Sequence, residues 1–445
     1  MSPQAARDDP AAGRLPGGPA CVPWRGLATV AFLGVAAGVQ MSDRGVQALL
    51  SPAIRRTFGV GDALIGALHG VAGILIASAL AMPLARLADR HSRKRILLAL
   101  IAAWALLTLL GGLAPNFPLF FLGRAAAGIT EFAMIPVVYS LIPDLVAERL
   151  RVPANLMFAA LMAMGASAGF YFGGHLLQLA STLSLGWLGS VEPWRNAMVL
   201  LASAAIPLLI VGVLIRDPPR TSHDADASTR GASLLAFVRA HAREIACFVG
   251  AAGGLAVAVQ ALTPMVAMAL GRRFSADIDV VGHTLGVYIL LGNLGSLPLA
   301  WLLDRMLRAR LGTAARPTIM AVASLVSRPC AALLAFASGA EAALELTKWF
   351  LLATCVANAL IPTMVQDLVP AELRARAFAA YSFVIAAFCA LGPLVSGGIS
   401  EFVLGDDLLT AIALAATPML AVTLVCTAVW LLSMRRRGGG IVSAS

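Results

Sequence analysis

Long apolar stretches alternate along the chain with short polar connections that are rich in arginine. Each apolar stretch holds about 20 residues, which at 1.5 Å of rise per residue is enough to cross roughly 30 Å of hydrocarbon as one helix. The pattern predicts twelve such helices, at residues 26–50, 62–84, 95–113, 118–142, 154–180, 195–215, 244–270, 280–303, 317–338, 343–366, 377–402 and 408–433. We therefore expect an all-α protein that spans a membrane twelve times.

Composition narrows the class of protein in the same direction. The 445 residues are 59% hydrophobic and 13% charged, which is too apolar for an ordinary soluble domain. The net charge is +10, but the arginines sit in short clusters between apolar stretches, so no soluble domain is left to carry a basic groove. Nucleic acid is therefore not expected as a partner.

The chain contains an internal repeat. The octapeptide PLARLADR at residues 83–90 returns as PLAWLLDR at residues 298–305, and the tripeptide DLV at residues 144–146 returns at residues 367–369. Ordered repeats of this kind are typical of transporters built from two similar halves. The predicted organisation is two pseudo-symmetric six-helix bundles at 26–215 and 244–433, a linker at 216–243, and tails at 1–25 and 434–445.

The distribution of basic residues predicts the orientation in the membrane. Of the 33 arginines and lysines, 24 fall in the two tails and the loops after even-numbered spans, whereas five fall in the other loops. Because cytoplasmic loops carry the excess of basic residues, both termini are expected in the cytoplasm. The abundance of alanine and arginine, with only two lysines, favours a bacterial inner (plasma) membrane.

Three segments resemble a known family. The run LADRHSRKR at the end of span two is similar to the signature loop of the major facilitator superfamily, with Ala85 and Ser92 at two positions where the signature has glycine. MSDR at residues 41–44 and the Arg124-x-x-x-Gly128-x-x-Glu131 run resemble the spinster branch, which transports lysolipids and sphingosine-phosphate-like lipids. The resemblance implies the major facilitator fold and transport by alternating access.

Charged residues inside predicted spans are the candidate site, because a charge at the centre of a bilayer costs about 2.5–3.5 kcal/mol. Asp43 and Glu131 are candidates for proton coupling, since burial disfavours a charged carboxylate. Arg124, Lys348 and Arg44 are candidates for binding an anionic substrate. The offset between the two copies of the repeat makes Lys348 the expected counterpart of Arg124 in the second half.

These residues are expected to meet between the bundles, near the middle of the membrane. Arg124 and Glu131 are seven positions apart, so they share one helix face, and Gly128 lies between them. The competing interpretation is a set of internal ion pairs that only hold the helices together. Arg328, before Pro329 in span nine, is assigned a structural or snorkelling role.

Two further groups of residues have candidate roles. The resemblance implies that Asp89, Arg90 and Arg93 form a gate at the cytoplasmic ends of the helices; anchoring by positive charge alone is the alternative. Gly165, Gly169, Gly173 and Gly174 in span five resemble a motif associated with antiporters, with Phe170 in place of proline. Ordinary close helix packing explains the same glycines.

The sequence predicts no cofactor, metal site or enzymatic centre. The six cysteines have no histidine at ligand spacing, and no Walker loop, nucleophile elbow or HExxH motif is present. His69 in span two is either a contact for protons or substrate or a hydrogen-bonded core histidine.

The predicted function is proton-coupled transport of an amphipathic anionic molecule, by resemblance a lysophospholipid or a sphingosine-phosphate-like lipid. The alternatives are proton-coupled transport of small organic anions or drugs, and a membrane receptor or scaffold that transports nothing. The expected partners are the substrate, protons and membrane lipids, and the protein is expected to be a monomer.

Overall fold

The computed structural model describes residues 23–80, 92–183, 192–215, 234–370 and 373–436. The elements in these ranges are helices, and no strand occurs among them. Asp89, Arg90 and most of the predicted linker and tails lie outside the described residues, so the domain boundaries stay a prediction. The predicted all-α class is confirmed.

Among the described residues, eleven helical stretches are long and apolar enough to cross a membrane. One of them, Ile278–Phe336, is 59 residues long, about three times the length that a single crossing needs. It is broken after Leu311 by Gly312, whose φ of 56° lies in the left-handed region that favours glycine. Arg316, just beyond the break, pairs with Asp304 before it, so this stretch is a hairpin of two spans. The structure therefore contains the twelve predicted spans.

We number the spans α1 to α12. Several contain a short break or a change of helix type. Their bounds are α1 Pro23–Phe58; α2 Asp62–Ala67, continuing as a π-helix over Leu68–Ile76; α3 Arg93–Gly112; α4 Phe117–Leu145; α5 Arg151–Thr182; α6 Pro193–Ser203 and Ala205–Leu214; α7 Ala242–Leu262 and Val266–Phe274; α8 Ile278–Leu290, a π-helix over Leu291–Gly295, and Ser296–Leu311; α9 Ala315–Leu333; α10 Ala340–Leu368; α11 Arg374–Phe402; and α12 Leu408–Arg436.

The two halves repeat each other in length as well as in sequence. The ends of α4 and α10 are separated by the same number of positions as the starts of α5 and α11. The same separation relates two ion pairs, Arg93 with Asp144 and Arg316 with Asp367. Between the ends of α1 and α7 the separation is slightly shorter. The duplication is therefore present in the helices and in their ion pairs.

The main contacts between the halves lie on one side of the molecule. We call the side where α1 ends and α2 begins the far face, and the opposite side, where α12 ends, the termini face. The halves are joined by α5 with α8, α2 with α11, and α1 with α7. The contacts between α5 and α8 extend from the far-face ends of both helices, where Gly174 lies against Asp279, to the middle of α5 at Ser167. Ser167 Oγ donates to Gly286 O at 2.5 Å there.

Glycines allow the backbones to approach closely at these seams. A Cβ on Gly286 would lie 2.6 Å from Tyr171 N, and one on Gly282 would lie 2.8 Å from Phe170 O. Neither position has room for a side chain. Small residues at helix interfaces permit this packing within a membrane. The far-face seam between α5 and α8 therefore depends on glycines of the second half.

The predicted packing glycines of α5 lie mainly against α1. A Cβ on Gly165 would overlap Gly38, one on Gly169 would overlap Ser42, and one on Gly173 would come within 2.7 Å of Leu49 Cδ1. Gly174 instead faces Asp279 at the start of α8. Gly128 of α4 lies against α2, with Ala77 Cβ 3.0 Å from the position of an added Cβ.

Candidate functional site

A cavity of about 230 Å³ lies between the halves. The first half contributes charged and polar residues to its wall, including Arg44, Arg124 and Glu131. The second half contributes uncharged residues, which are Gln260, Thr263, Pro264, Ile289 and Pro393. The cavity is therefore polar along one wall and largely apolar along the other.

The first ion pair in this region joins α1 to α4. Arg124 Nη1 donates to Asp43 Oδ2 at 2.7 Å, and Trp104 Nε1 of α3 donates to the same oxygen at 3.0 Å. Asp43 is 1% exposed and Arg124 is 4% exposed. Two donors therefore hold the Asp43 carboxylate among three helices.

The second ion pair joins the same two helices, but here the arginine is on α1 and the carboxylate is on α4. Arg44 Nε donates to Glu131 Oε2 at 3.2 Å, and the Arg44 guanidinium lies 4.4 Å from the centre of the Phe132 ring. Glu131 is 1% exposed, whereas the Arg44 side chain is 35% exposed. Glu131 Oε1 has no hydrogen-bond partner among the described residues.

We call Asp43, Arg44, Arg124 and Glu131 the charge tetrad. Consecutive residues of α1 bind residues seven positions apart on α4, so each helix carries one acid and one base of the tetrad. The sequence placed Arg124 and Glu131 on one face, and both line the cavity. It did not predict that Arg124 pairs with Asp43 and that Glu131 pairs with Arg44.

His69 and Ser51 extend the polar wall beyond the tetrad. His69 lines the cavity, is 9% exposed, and has Nε2 2.9 Å from Ser51 Oγ. It lies in the π-helical part of α2, and π-helical turns occur often at functional sites. His69 is therefore a hydrogen-bonded histidine, as one of the two descriptions predicted, and its contact with protons or substrate stays a prediction.

Lys348 does not lie where the sequence placed it. It is not among the residues that line the cavity, and its Nζ pairs with Glu345 of its own helix at 2.5 Å. The separation between the ends of α4 and α10 makes Thr347, which is fully buried, the counterpart of Arg124. One residue further along a helix is a rotation of about 100°. The expected convergence of Lys348 with Arg124 was therefore wrong.

The far face carries a second charged cluster that the sequence analysis missed. Asp62, which is fully buried, accepts hydrogen bonds from both terminal nitrogens of Arg272 at 2.7 and 2.8 Å and from Ser400 at 2.6 Å. Arg55 also pairs with Asp62 and, through Nη2, with Asp406 at 2.9 Å. We call these five residues the far-face cluster. Its one sequence signal was an acid at the first position of span two.

The far-face cluster connects the two halves. Two of its residues are in the first half, Asp62 on α2 and Arg55 on α1. The other three come from the second half: Arg272, Ser400 and Asp406. A bidentate arginine–carboxylate pair is among the stronger polar contacts in proteins. The cluster therefore holds the far-face ends of the halves together above the cavity.

At the termini face, the described part of the predicted gate is Arg93. Its Nη1 donates to Asp144 Oδ2 at 2.6 Å and to Ser140 O at 3.0 Å, both on α4. In the second half, Arg316 binds both Asp304 and Asp367. These contacts stay within each half, in contrast to those of the far-face cluster.

The described residues contain no group of three or more His, Cys, Asp or Glu side chains that could hold a metal ion. Arg328 of α9 is exposed, a position compatible with the snorkelling role assigned from the sequence.

The family model of the Major Facilitator Superfamily matches residues 32–344, which run from α1 into α10. The chain belongs to the major facilitator superfamily. It is therefore an integral membrane protein with the fold of a transporter family, as the sequence predicted.

Curated relatives include both efflux pumps and spinster proteins. The chain is 27% identical over 436 residues to an MFS-type efflux pump of Mycolicibacterium smegmatis, which covers 93% of this chain and 94% of that protein. It is 27% identical over 301 residues to Protein spinster of Drosophila melanogaster, which covers 65% of this chain and 47% of that protein. The predicted spinster-like character is confirmed by these relatives together with the structural neighbours.

One such neighbour is a bacterial homologue of the human lysosomal transporter spinster, crystallised in an inward-facing and unoccupied conformation. It superposes with a TM-score of 0.76 at 22% identity, covering 93% of this chain and 98% of that one. The likeness confirms the predicted two-bundle major facilitator fold.

Proposed function

We propose that this protein is a proton-coupled secondary transporter of an amphipathic anionic molecule, such as a lysophospholipid or a sphingosine-phosphate-like lipid. The observation that carries the proposal is the pair of crossed ion pairs between α1 and α4, at the wall of a cavity between the halves. Charges buried in a membrane are retained mainly where they bind substrate or protons.

The two ion pairs differ in how completely they are satisfied, and this difference gives them separate roles. Asp43 receives two hydrogen bonds, from Arg124 and Trp104, and this pair orders α1, α3 and α4. Glu131 receives one, from Arg44, and its Oε1 is unpartnered among the described residues. We assign the exchange of a proton chiefly to Glu131 and a supporting part in coupling to Asp43.

Protonation of Glu131 would remove the negative partner of Arg44. Arg44 could then bind a phosphate or carboxylate of the substrate through its guanidinium, so anion binding and proton binding favour each other. Arg124, which lines the same cavity, adds a second positive charge near the anion. Lys348 has no part in this site because it does not line the cavity.

Alternating access requires the far-face cluster to open. In the described conformation the main contacts between the halves are at the far face, and the cluster of Asp62, Arg55 and Arg272 crosses between them. Rocking of one bundle against the other would break these ion pairs and expose the cavity on that side.

We extend the proposal to the orientation and to the gate at the termini face. With both termini in the cytoplasm of a bacterial cell, the described conformation is closed on the outer side. Asp89, Arg90 and Arg93 would form the gate on the inner side. The second-half Arg316, which binds Asp304 at the position equivalent to Asp89, supports this role.

Small organic anions or drugs are the second candidate substrates, and two observations favour them. A relative over nearly the whole chain is named an MFS-type efflux pump. The cavity of about 230 Å³ is also smaller than most sites that enclose a whole drug-sized molecule, which favours a small anion over a drug or a whole lysolipid. A lysolipid could place only its head group there, with its acyl chain along the apolar wall.

Transport assays in proteoliposomes test the proposal. Uptake of a panel of lysophospholipids and small aromatic carboxylates is measured with and without a pH gradient, for the wild type and for Glu131→Gln and Asp43→Asn. Glu345→Gln, at a carboxylate on the exposed part of α10, is the matched control. We expect the pH gradient to drive transport in the wild type and the control, and not in Glu131→Gln. Unchanged proton dependence in both tetrad variants would contradict the coupling.

A further inference from the structure

His69 has one ring nitrogen bonded and one ring nitrogen available to the cavity. Its Nε2 lies 2.9 Å from Ser51 Oγ, whereas Nδ1 has no hydrogen-bond partner in the described part of the chain. The residue is nine-tenths buried and lines the cavity with Arg124 and Glu131. A polar atom of a mostly buried residue that has no protein partner is expected to find one in a ligand or in water.

The hydrogen bonds of the Ser51 hydroxyl group are used to assign the ring nitrogen of His69 that carries the proton. Ser51 Oγ donates its single hydrogen to Gln47 O at 2.9 Å. We assign the hydrogen of Oγ to this bond, so that Oγ accepts from His69 and Nε2 carries the hydrogen of the second bond. In the neutral ring, Nδ1 is then left with a lone pair and acts as an acceptor.

The charges of the cavity wall agree with a neutral His69. The two arginines and two carboxylates of the charge tetrad balance when all four are ionised. A neutral imidazole leaves that balance unchanged. It also places an acceptor beside the two guanidinium groups that would hold an anion.

A second unpartnered group on the same wall points to the same kind of ligand. Gln47 is 6% exposed, lines the cavity, and has no hydrogen-bond partner for Nε2 among the described residues. This nitrogen is a donor, as are the guanidinium groups of Arg44 and Arg124. The wall thus presents several donors, which suit an anionic group, and two acceptors that have no partner among the described residues, Glu131 Oε1 and His69 Nδ1.

We infer that the substrate carries a hydrogen-bond donor, a hydroxyl or ammonium group, next to its anionic group, and that His69 recognises that donor through Nδ1. The inference rests on the proposed function, because it deepens the description of the transported anion. His69 is then a residue that determines substrate specificity, and a simple alkyl phosphate or carboxylate lacks the feature that it recognises.

Two closely matched ligands and two isosteric variants test the inference. The ligands are 1-oleoyl-glycerol-3-phosphate and its 2-deoxy analogue, which lacks only the free hydroxyl. Each displaces a radiolabelled lysophospholipid from the purified full chain. His69→Gln places an amide near Nε2 and removes the Nδ1 acceptor, whereas His69→Asn places an amide oxygen near Nδ1 and removes the contact with Ser51. Size-exclusion profiles verify that both variants fold.

We expect the wild type to bind the hydroxyl ligand about three- to tenfold more tightly than the deoxy ligand, the range of one neutral hydrogen bond. The ratio should fall to roughly one in His69→Gln and persist in His69→Asn. Equal binding of the two ligands by the wild type, an unchanged ratio in His69→Gln, or an equal loss in both variants would overturn the assignment to Nδ1. Failure of both ligands to bind the wild type would contradict the proposed function, and the inference with it.

Discussion

The two halves of this transporter share their helices and differ in the chemistry of their cavity-facing positions. At the termini face, the Arg93–Asp144 pair of the first half has an equivalent in Arg316 and Asp367. Around the cavity, the equivalents of the charged residues are uncharged. Arg44 corresponds to Gln260, and Arg124 corresponds to Thr347.

The difference shows which features a duplicated fold retains and which features one half has specialised. Ion pairs that join the termini-face ends of neighbouring helices are present in both copies. The charge tetrad lies in the first half alone, so the proposed proton coupling and anion binding are assigned to that half. The second half contributes an uncharged wall to the cavity and Arg272 to the far-face cluster.

Removal of Arg124 should have the largest effect, and it tests the difference between the two halves most directly. Arg124→Ala leaves the buried carboxylate of Asp43 with only Trp104, which we expect to cost about 3–5 kcal/mol of stability and to abolish transport of anions. The equivalent change, Thr347→Ala, removes one hydroxyl that bonds within its own helix and should cost about 1 kcal/mol. Thermal unfolding in detergent and proteoliposome uptake measure both effects. Similar losses in the two variants would contradict the asymmetry.

Substitution of Arg44 and of its second-half equivalent, Gln260, compares the contribution of a charged side chain with that of a neutral one at the same cavity. Arg44→Ala should weaken binding of an anionic substrate by about ten- to a hundredfold, the range for a hydrogen bond to a charged group. Gln260→Ala should weaken it by less than about tenfold. Binding of a neutral analogue is the control, and it should change little in Arg44→Ala. An equal loss for the neutral analogue would assign Arg44 a structural role.

The far-face cluster tests the part played by the second half. Arg272→Ala removes the bidentate partner of Asp62 and should increase the fraction of molecules with an open far face several-fold. Distances between spin labels at Arg56→Cys and Ser275→Cys, in a cysteine-free background, measure that fraction. Arg273→Ala is the matched control, because Arg273 pairs with Asp407 of its own half. Equal distance distributions in the two variants would rule out the cluster as a lock between the halves.

The termini-face pairs should show the smallest effects and the smallest difference between the halves. Arg93→Ala and Arg316→Ala each remove a partly exposed ion pair, so each should cost about 1 kcal/mol of stability. The loss should be slightly greater for Arg316, which binds two carboxylates. Denaturation of the purified variants measures both. A large loss in one variant alone would show that the repeat is not functionally equivalent at this position.

The fold was largely predictable because apolar length and repeated motifs are local signals. Twelve spans followed from stretches of about 20 apolar residues, and the repeated motifs indicated the two halves. The error at Lys348 came from the same reasoning. A one-residue uncertainty in the repeat offset is negligible for a helix boundary but rotates a side chain by about 100°.

The site was predictable only in part, because partners across helices leave no trace in residue spacing. Asp43, Arg44, Arg124 and Glu131 were recognisable as charges within apolar stretches. Their crossed pairing depends on how α1 and α4 pack. Trp104, Gln47 and Arg272 were missed for a related reason, since such side chains do not stand out until their contacts are known.

The central claim is that an anion replaces Glu131 as the partner of Arg44 while Glu131 takes up a proton. Proton uptake on substrate binding tests it most directly, in a weakly buffered solution of the purified protein with a pH indicator. For the wild type we expect uptake of up to about one proton per bound substrate, with binding that strengthens as the pH falls. Glu131→Gln should bind the substrate with no proton uptake and no such pH dependence. Equal proton uptake by the wild type and Glu131→Gln would contradict the claim.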